Sequence, residues 1–168
     1  MSSPIQVILL DMDGLLYQGE KVVPEALSFI SAIAHLPHTF ITNNPILSSP
    51  EIADKLEHLG LKRLEHYQII TSAEATALWI SQQQKNFRYY AVGSEGLHTA
   101  LRQHGFEDIQ QADFVVIGEG AGIDFNSITT GVNLIIKQGA KLICTNLNHS
   151  VDATIDGRQC VLPGGGLW

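Results

Sequence analysis

Short apolar segments alternate with longer amphipathic stretches along the whole chain. The apolar segments are rich in β-branched and aromatic residues, as expected of parallel strands that are covered on both faces. They are Ile5–Leu10, Thr39–Ile41, Gln68–Ile70, Tyr89–Val92, Phe114–Ile117 and Leu142–Cys144. Because the stretches between them have helical spacing, the alternation predicts an α/β fold built from parallel β/α units.

Capping and stop signals mark the predicted helices. In the clearest one, Pro50–Leu59, Ser49 is placed to cap, Pro50 suits the first helical position, and Gly60 stops the last turn. The same signals predict four more helices. These are Glu25–His35, Ala73–Gln83 after a Ser72 cap, Glu95–His104 after a Ser94 cap, and Ser127–Gln138 before Gly139.

The helical and strand pattern is interrupted at Gln82–Asn86, where three glutamines and a lysine cluster. This predicts a domain boundary. Residues 1–86 then hold three β/α units, and residues 87–162 form a second α/β portion. The last residues, 163–168, include three consecutive glycines, which usually belong to a loop that leads into another element.

Composition restricts the class of protein. The 168 residues are 45% hydrophobic, which excludes a disordered chain, and no apolar run approaches the ~18 residues of a membrane span. Without a signal peptide, we expect a cytoplasmic protein with no membrane partner. The net charge of -7 argues against nucleic acid as a partner. Cys144 and Cys160 have no metal-like spacing and are interpreted as reduced structural thiols.

The strongest chemical signal is Asp11-Met12-Asp13-Gly14, directly after the first predicted strand. Loops at the carboxyl ends of parallel strands form the ligand crevice of such folds, and two carboxylates there can converge on one cation or one reacting group. The alternative is that one aspartate caps a helix while the other is solvated.

The second strand supports the first interpretation. It ends in Thr42-Asn43-Asn44, which offers a hydroxyl and backbone N–H groups to a phosphate at the same sheet edge. A turn that satisfies its own backbone is the alternative. Elsewhere, Gly118–Gly122 lacks the G-x-G-x-x-G spacing of a dinucleotide loop and is predicted to be a turn. The scattered histidines show no zinc-binding pair.

Taken together, these motifs resemble the haloacid dehalogenase (HAD) superfamily of phosphohydrolases, in its class IIA or NagD-type branch. The resemblance extends over the whole chain. It is carried by Asp11–Gly19, Val23–Ala26, Thr42–Asn44 with Ser49-Pro50, Thr71–Ala77, Ala91–Leu97, Ala112–Gly118, Gly139-Ala140 and Thr145–Asn148.

The resemblance implies a Mg²⁺-dependent hydrolysis of a small phosphorylated metabolite on a partial Rossmann-like core with an α/β cap. Asp11 would be the nucleophile that forms an aspartyl-phosphate, and Asp13 the general acid and base. Thr42 and the backbone of Asn43 would hold the phosphoryl oxygens. Mg²⁺ would be bound by the Asp11 carboxylate and the Asp13 backbone carbonyl.

In this branch residues 87–162 resemble the cap domain that sets substrate preference. The segment Thr145–Asn148 matches a family motif, Thr-Asn-x-Asp, that contributes near the substrate entrance, so Asn146 and Asn148 are weaker candidates for substrate contact. Because Asn148 replaces the family's aspartate, a preference carried over from relatives does not follow. The neighbouring His149 is a further candidate, although a loop histidine is more often solvated.

The family pattern continues beyond the cap with a lysine and an acidic G-D-x-x-x-D metal motif, and neither occurs in these 168 residues. The first strand is therefore expected to lie at a sheet edge. One hypothesis is that the chain is a truncated or fragmentary phosphatase. The other is that it is a noncatalytic binding or assembly module. A homo-oligomer contact through the cap or the core edge is left open.

Overall fold

A computed structural model describes residues 6–61, 65, 68–155 and 158–167. Contacts divide the chain into two compact units. One comprises Met1–Thr42 and Ser49–Ile70, and the other Asn43–Ser48 and Thr71–Trp168. The predicted domain ranges 1–86, 87–162 and 163–168 stay a prediction. No helix in the described ranges is long and apolar enough to cross a bilayer.

The first unit contains a sheet of three strands in the order β1-β4-β5. These strands are β1 (Ile8–Asp11), β4 (His38–Thr42) and β5 (Ile69–Thr71). Strand β1 runs parallel to β4, with Leu10 beside Phe40 and Asp11 beside Ile41. The predicted strands therefore form, and each ends one residue later than predicted, toward the motif that follows it. Ile5, which was included in the first, lies outside the described residues.

One face of this sheet is buried and the other is accessible. Leu10, Phe40 and Ile69 are at most 5% exposed and pack in the core, whereas Leu9 is 62% exposed on the other face. Among the described residues β1 pairs in a sheet only with β4. The expectation that the first strand lies at an edge is therefore confirmed for that part of the chain.

The second unit is built on a four-stranded parallel sheet in the order β7-β6-β8-β9. Its strands are β6 (Arg88–Val92), β7 (Phe106–Glu107), β8 (Phe114–Ile117) and β9 (Lys141–Cys144). All four residues of the central strand β8 are buried, as predicted for a strand covered on both faces. The α/β class with parallel sheets is confirmed in both units.

Five helices lie at the predicted positions, with shifted ends. They are α1 (Ala26–Ile33), α2 (Ser49–His58), α3 (Ser72–Gln83), α4 (Glu95–Arg102) and α5 (Phe125–Gln138). One predicted cap was wrong: Thr71 rather than Ser72 caps α3, through a capping box with Glu74. Helix α5 is capped by Asp124 and begins two residues before the predicted Ser127. Ser94 precedes α4 but makes no side-chain cap bond.

Two antiparallel hairpins were not predicted. The first pairs β2 (Tyr17–Gln18) with β3 (Lys21–Val22), and the second pairs β10 (Ser150–Ile155) with β11 (Arg158–Pro163). The sequence did contain a signal for the second, because Asp156-Gly157 is a favoured pair for a two-residue turn.

The glycines after β11 allow close backbone packing. A Cβ on Gly166 would clash with the carbonyl of Leu147, and one on Gly164 with the carbonyl of Asn148. Gly164 and Gly166 also donate N–H bonds of 2.9 Å to the carbonyls of His149 and Asn148. This segment therefore packs directly onto the loop that follows β9.

The core of the second unit predicts a contrast between two neighbouring aromatic residues. Phe87 and Tyr89 are both fully buried, and among the described residues the Tyr89 hydroxyl has no hydrogen-bond partner. Because an unpaired buried hydroxyl is unfavourable, Tyr89→Phe should leave the unfolding free energy unchanged or raise it. Phe87→Ala should lower it by about 3–5 kcal/mol. Urea denaturation measures the unfolding free energy of both variants. A decrease of more than about 1 kcal/mol in Tyr89→Phe would show that the Tyr89 hydroxyl does make a stabilising hydrogen bond.

Candidate active site

The carboxyl ends of β1 and β4 bring the first polar groups together. Because Asp11 pairs with Ile41 in the parallel register, the residues after both strands leave the sheet at the same edge. The Asp11 carboxylate is accessible, and its Oδ1 accepts a 2.8 Å bond from the N–H of Met12. Met12 itself is completely buried, which anchors the turn between the two aspartates.

Asp13 lies in a tight turn that ends against the β2–β3 hairpin. Gly14 has a φ of +80°, a conformation that favours glycine, and its N–H donates to the carbonyl of Tyr17 at 2.8 Å. The Thr42 hydroxyl donates to Asp13 Oδ2 at 3.4 Å, and the Tyr17 hydroxyl is also hydrogen-bonded to this carboxylate. The structure thus brings Asp11, Asp13 and Thr42 to one edge, as the sequence predicts.

The surroundings of Asp13 alter its acidity. Partial burial raises the pKa of Asp13, and the negative charge of Asp11 raises it further, while the positive charge of Lys55 opposes both. The same burial, together with the Asp13 carboxylate, raises the pKa of the Tyr17 phenol. At the site edge, therefore, a carboxyl has an increased tendency to hold a proton.

Lys55 is a site neighbour that the sequence did not indicate. It lies on α2, and its Nζ is 4.2 Å from the centre of the Tyr17 ring, which is a cation–π distance. Lys55 and Tyr17 are 38 positions apart in the sequence. No local sequence pattern predicts their contact, because it depends on how α2 packs.

The donor set suits a hard divalent cation. Asp11 and Asp13 supply oxygen ligands, and the repulsion that raises the pKa of Asp13 is what a cation between them would relieve. Within the described ranges no three His, Cys, Asp or Glu side chains cluster as metal ligands. Mg²⁺ often binds through only one or two carboxylates and completes its shell with water and phosphate oxygens, so the two aspartates fit it.

The other predicted site residues belong to the second unit. Asn43 follows Thr42 in the chain, and its carbonyl accepts bonds from Ser72 Oγ at 2.7 Å and from Asn146 Nδ2 at 3.1 Å. The Asn146 amide oxygen accepts from the N–H of Asn148 at 3.0 Å. The structure thus brings Asn43, Asn146 and Asn148 into one hydrogen-bonded group.

Glu119 joins this group and was missed by the sequence analysis. The turn predicted over residues 118–122 forms, but Glu119 within it is only 2% exposed. Its Oε1 accepts from Asn146 Nδ2 at 2.7 Å and from the N–H of Gly165 at 3.5 Å. The sequence signal for a buried Glu119 was its position among three glycines, because a glycine-rich loop lets backbone groups approach a carboxyl group closely.

A family model described as haloacid dehalogenase-like hydrolase matches residues 8–107. The chain is 34% identical over 161 residues to a Bacillus subtilis protein named 5'-nucleotidase YutF, covering 94% of this chain and 60% of that protein. It is 34% identical over 167 residues to an acid sugar phosphatase of Staphylococcus epidermidis, covering 96% of this chain and 61% of the relative.

The fold also matches a solved structure. A double mutant of a thermostable NPPase from Geobacillus stearothermophilus superposes with a TM-score of 0.83 at 30% identity, covering 96% of this chain and 63% of that one. The chain therefore spans about 60% of the length of the curated relatives that it matches.

The raised pKa of Asp13 predicts a stability effect. When folding raises the pKa of a carboxyl, its protonated form stabilises the folded state. This stabilisation is complete below the pKa of the unfolded state and is lost as the pH rises through the pKa of the folded state. At pH 7 without divalent cations, Asp13→Asn should therefore raise the Tm by roughly 1–3 °C. This gain in Tm should vanish near pH 3, where the wild-type carboxyl is protonated. Calorimetry in EDTA measures the Tm, with Asp54→Asn, a substitution of an exposed residue on α2, as the control. A lower Tm for Asp13→Asn than for the wild type at pH 7 would contradict the electrostatic account.

Proposed function

The chain belongs to the haloacid dehalogenase-like hydrolases, and from this membership we propose that it hydrolyses phosphomonoesters of small metabolites through an aspartyl-phosphate. The observation that carries the proposal is the meeting of Asp11, Asp13 and Thr42 at one sheet edge, where the Thr42 hydroxyl lies 3.4 Å from Asp13 Oδ2. A nucleophile, a proton carrier and an oxyanion donor are the groups that phosphoryl transfer through a carboxylate requires.

In the first step a carboxylate oxygen of Asp11 attacks phosphorus, and the bond from phosphorus to the alcohol oxygen breaks. Asp13 donates a proton to that oxygen, so the product leaves as a neutral alcohol. In the second step water attacks phosphorus, Asp13 takes its proton, and the bond to Asp11 breaks to release phosphate. The raised pKa of Asp13 supports this role, because the group must alternate between its two protonation states.

The remaining groups hold and orient the phosphoryl group. The Thr42 hydroxyl, which donates to Asp13 in the structure, would turn to a phosphoryl oxygen, and the backbone N–H of Asn43 is assigned to a second oxygen. Lys55 on α2 and Tyr17 on β2 act on Asp13, Lys55 through its positive charge and Tyr17 through a hydrogen bond. Each of these contributions is electrostatic or positional, as expected for a reaction in which charge spreads over phosphoryl oxygens.

Mg²⁺ is the proposed cofactor, held by the Asp11 carboxylate and the Asp13 backbone carbonyl. When bound, it would offset the repulsion between an anionic nucleophile and an anionic substrate.

The proposed substrate class is a small phosphorylated metabolite in the cytoplasm. The two relatives are named 5'-nucleotidase YutF and acid sugar phosphatase, and both names denote the removal of phosphate. The proposal therefore specifies the phosphoryl group of the substrate and does not specify its organic part.

Replacement of the nucleophile tests the proposal. With p-nitrophenyl phosphate and Mg²⁺, the 168-residue chain should release p-nitrophenol, and Asp11→Asn should lower kcat by roughly 10³-fold or more. EDTA should abolish release, and added Mg²⁺ should restore it. The matched control is Asp54→Asn, an exposed aspartate on α2, which should behave as the wild type.

Two outcomes would contradict the proposal. Equal turnover by the wild type and Asp11→Asn would assign the chemistry to another group. No turnover by the folded wild-type chain would favour the alternative, a noncatalytic binding or assembly module.

A further inference from the structure

Glu119 is a buried carboxylate that the proposed chemistry does not use. It is 2% exposed, and it takes part in none of the ion pairs found among the described residues. A buried carboxylate without a cationic partner is unfavourable unless hydrogen bonds compensate it. Its side chain accepts such bonds from Asn146 and Gly165, and its own carbonyl accepts from the N–H of Ser94 at 3.0 Å.

Glu119 is one of three partners that orient the Asn146 amide. The NH₂ group of Asn146 faces the Glu119 side chain and donates to it. One hydrogen of that group goes to Glu119 Oε1 at 2.7 Å, and the other goes to the Asn43 carbonyl at 3.1 Å. The amide oxygen accepts from the N–H of Asn148. A flipped amide would place an oxygen against the Asn43 carbonyl and lose all three bonds.

The Asn43 carbonyl is thereby held from two sides, by Asn146 and by the Ser72 hydroxyl at 2.7 Å. Because a peptide unit is planar, fixing this oxygen also fixes the direction of the next N–H, that of Asn44. The Asn44 side chain then accepts from the N–H of Ile46 at 2.8 Å. The backbone is therefore held at the Asn43 carbonyl and at Asn44.

We propose that Glu119 is a positioning residue: by accepting from the Asn146 amide it helps to hold the Asn43 carbonyl, and with it the Asn44 N–H of the same peptide, in the backbone segment that would bind the phosphoryl group. The consequence for phosphate rests on the proposed function. The link from Glu119 to the Asn43 backbone rests on the hydrogen bonds alone and can be measured without turnover.

Two substitutions of Glu119 separate its hydrogen bonds from its carboxyl group. Glu119→Gln and Glu119→Met both replace the carboxyl group at similar side-chain size, but the glutamine amide oxygen can still accept from Asn146 and Gly165. The glutamine variant should keep the wild-type NMR shifts of the Asn43 carbonyl and Asn44 amide and the affinity for inorganic phosphate. In the methionine variant the NMR signals of the Asn43 carbonyl and the Asn44 amide should both shift. Its dissociation constant for inorganic phosphate should rise about tenfold, which corresponds to the loss of one hydrogen bond.

A swap variant separates positioning from stability. Asn146→Asp places two carboxylates together and should lower the Tm as well as the phosphate affinity. In the double variant Glu119→Gln/Asn146→Asp, the glutamine NH₂ can donate to the aspartate, so part of the lost Tm should be regained. The phosphate affinity should not recover, because the aspartate has no hydrogen to give to the Asn43 carbonyl. Ser72→Ala, which removes the other donor, should weaken phosphate binding without disturbing Glu119.

The outcomes are distinct. Wild-type Asn43 and Asn44 signals in Glu119→Met, or recovery of phosphate affinity with the Tm in the double variant, would overturn the positioning role. If Glu119→Met does not fold, Ser72→Ala and the double variant decide the matter. Absence of phosphate binding by the wild-type chain would refute the proposed function, while the NMR signals would still test the link from Glu119 to Asn43.

Discussion

The parallel pairing of β1 with β4 is the constraint on which the candidate site depends. A register with Asp11 beside Ile41 lets the acidic turn and the segment beginning at Thr42 leave the sheet at the same edge. A slip of one residue by β1 against β4 would move Leu10 out of the core and turn the polar groups at the strand ends away from each other. Burial of Leu10 and Phe40 therefore stabilises the register and, through it, the distance between Thr42 and Asp13.

Around this edge the two aspartates act on each other. Partial burial of the Asp13 carboxyl and repulsion by Asp11 favour the protonated form of Asp13, while Lys55, Thr42 and Tyr17 favour its ionised form. Such a balance suits a group that gives and takes a proton in successive steps, and it makes the pair a suitable place for a divalent cation. The same balance implies that the site is maintained at some expense of stability.

Much of this arrangement could be predicted from the sequence, because local patterns encode it. Apolar runs marked the strands, and Asp11, Asp13 and Thr42 could be placed at one edge because parallel strands end together. Lys55 and Glu119 could not be found in this way. The approach of Lys55 to Tyr17 depends on helix packing, and the burial of Glu119 depends on contacts among loops far apart in sequence. The cap of α3 was misplaced by one residue and the start of α5 by two, because several candidate capping side chains stood side by side.

The central claim is that Asp11 carries the phosphoryl group during hydrolysis. The most direct measurement is acid quenching of the chain during turnover of p-nitrophenyl phosphate, followed by peptide mass spectrometry that locates the phosphoryl group. The account predicts a phosphorylated peptide with the group on Asp11, absent from Asp11→Asn. Phosphate release with the group on another residue, or with no phosphorylated peptide under conditions that trap acyl phosphates, would contradict it.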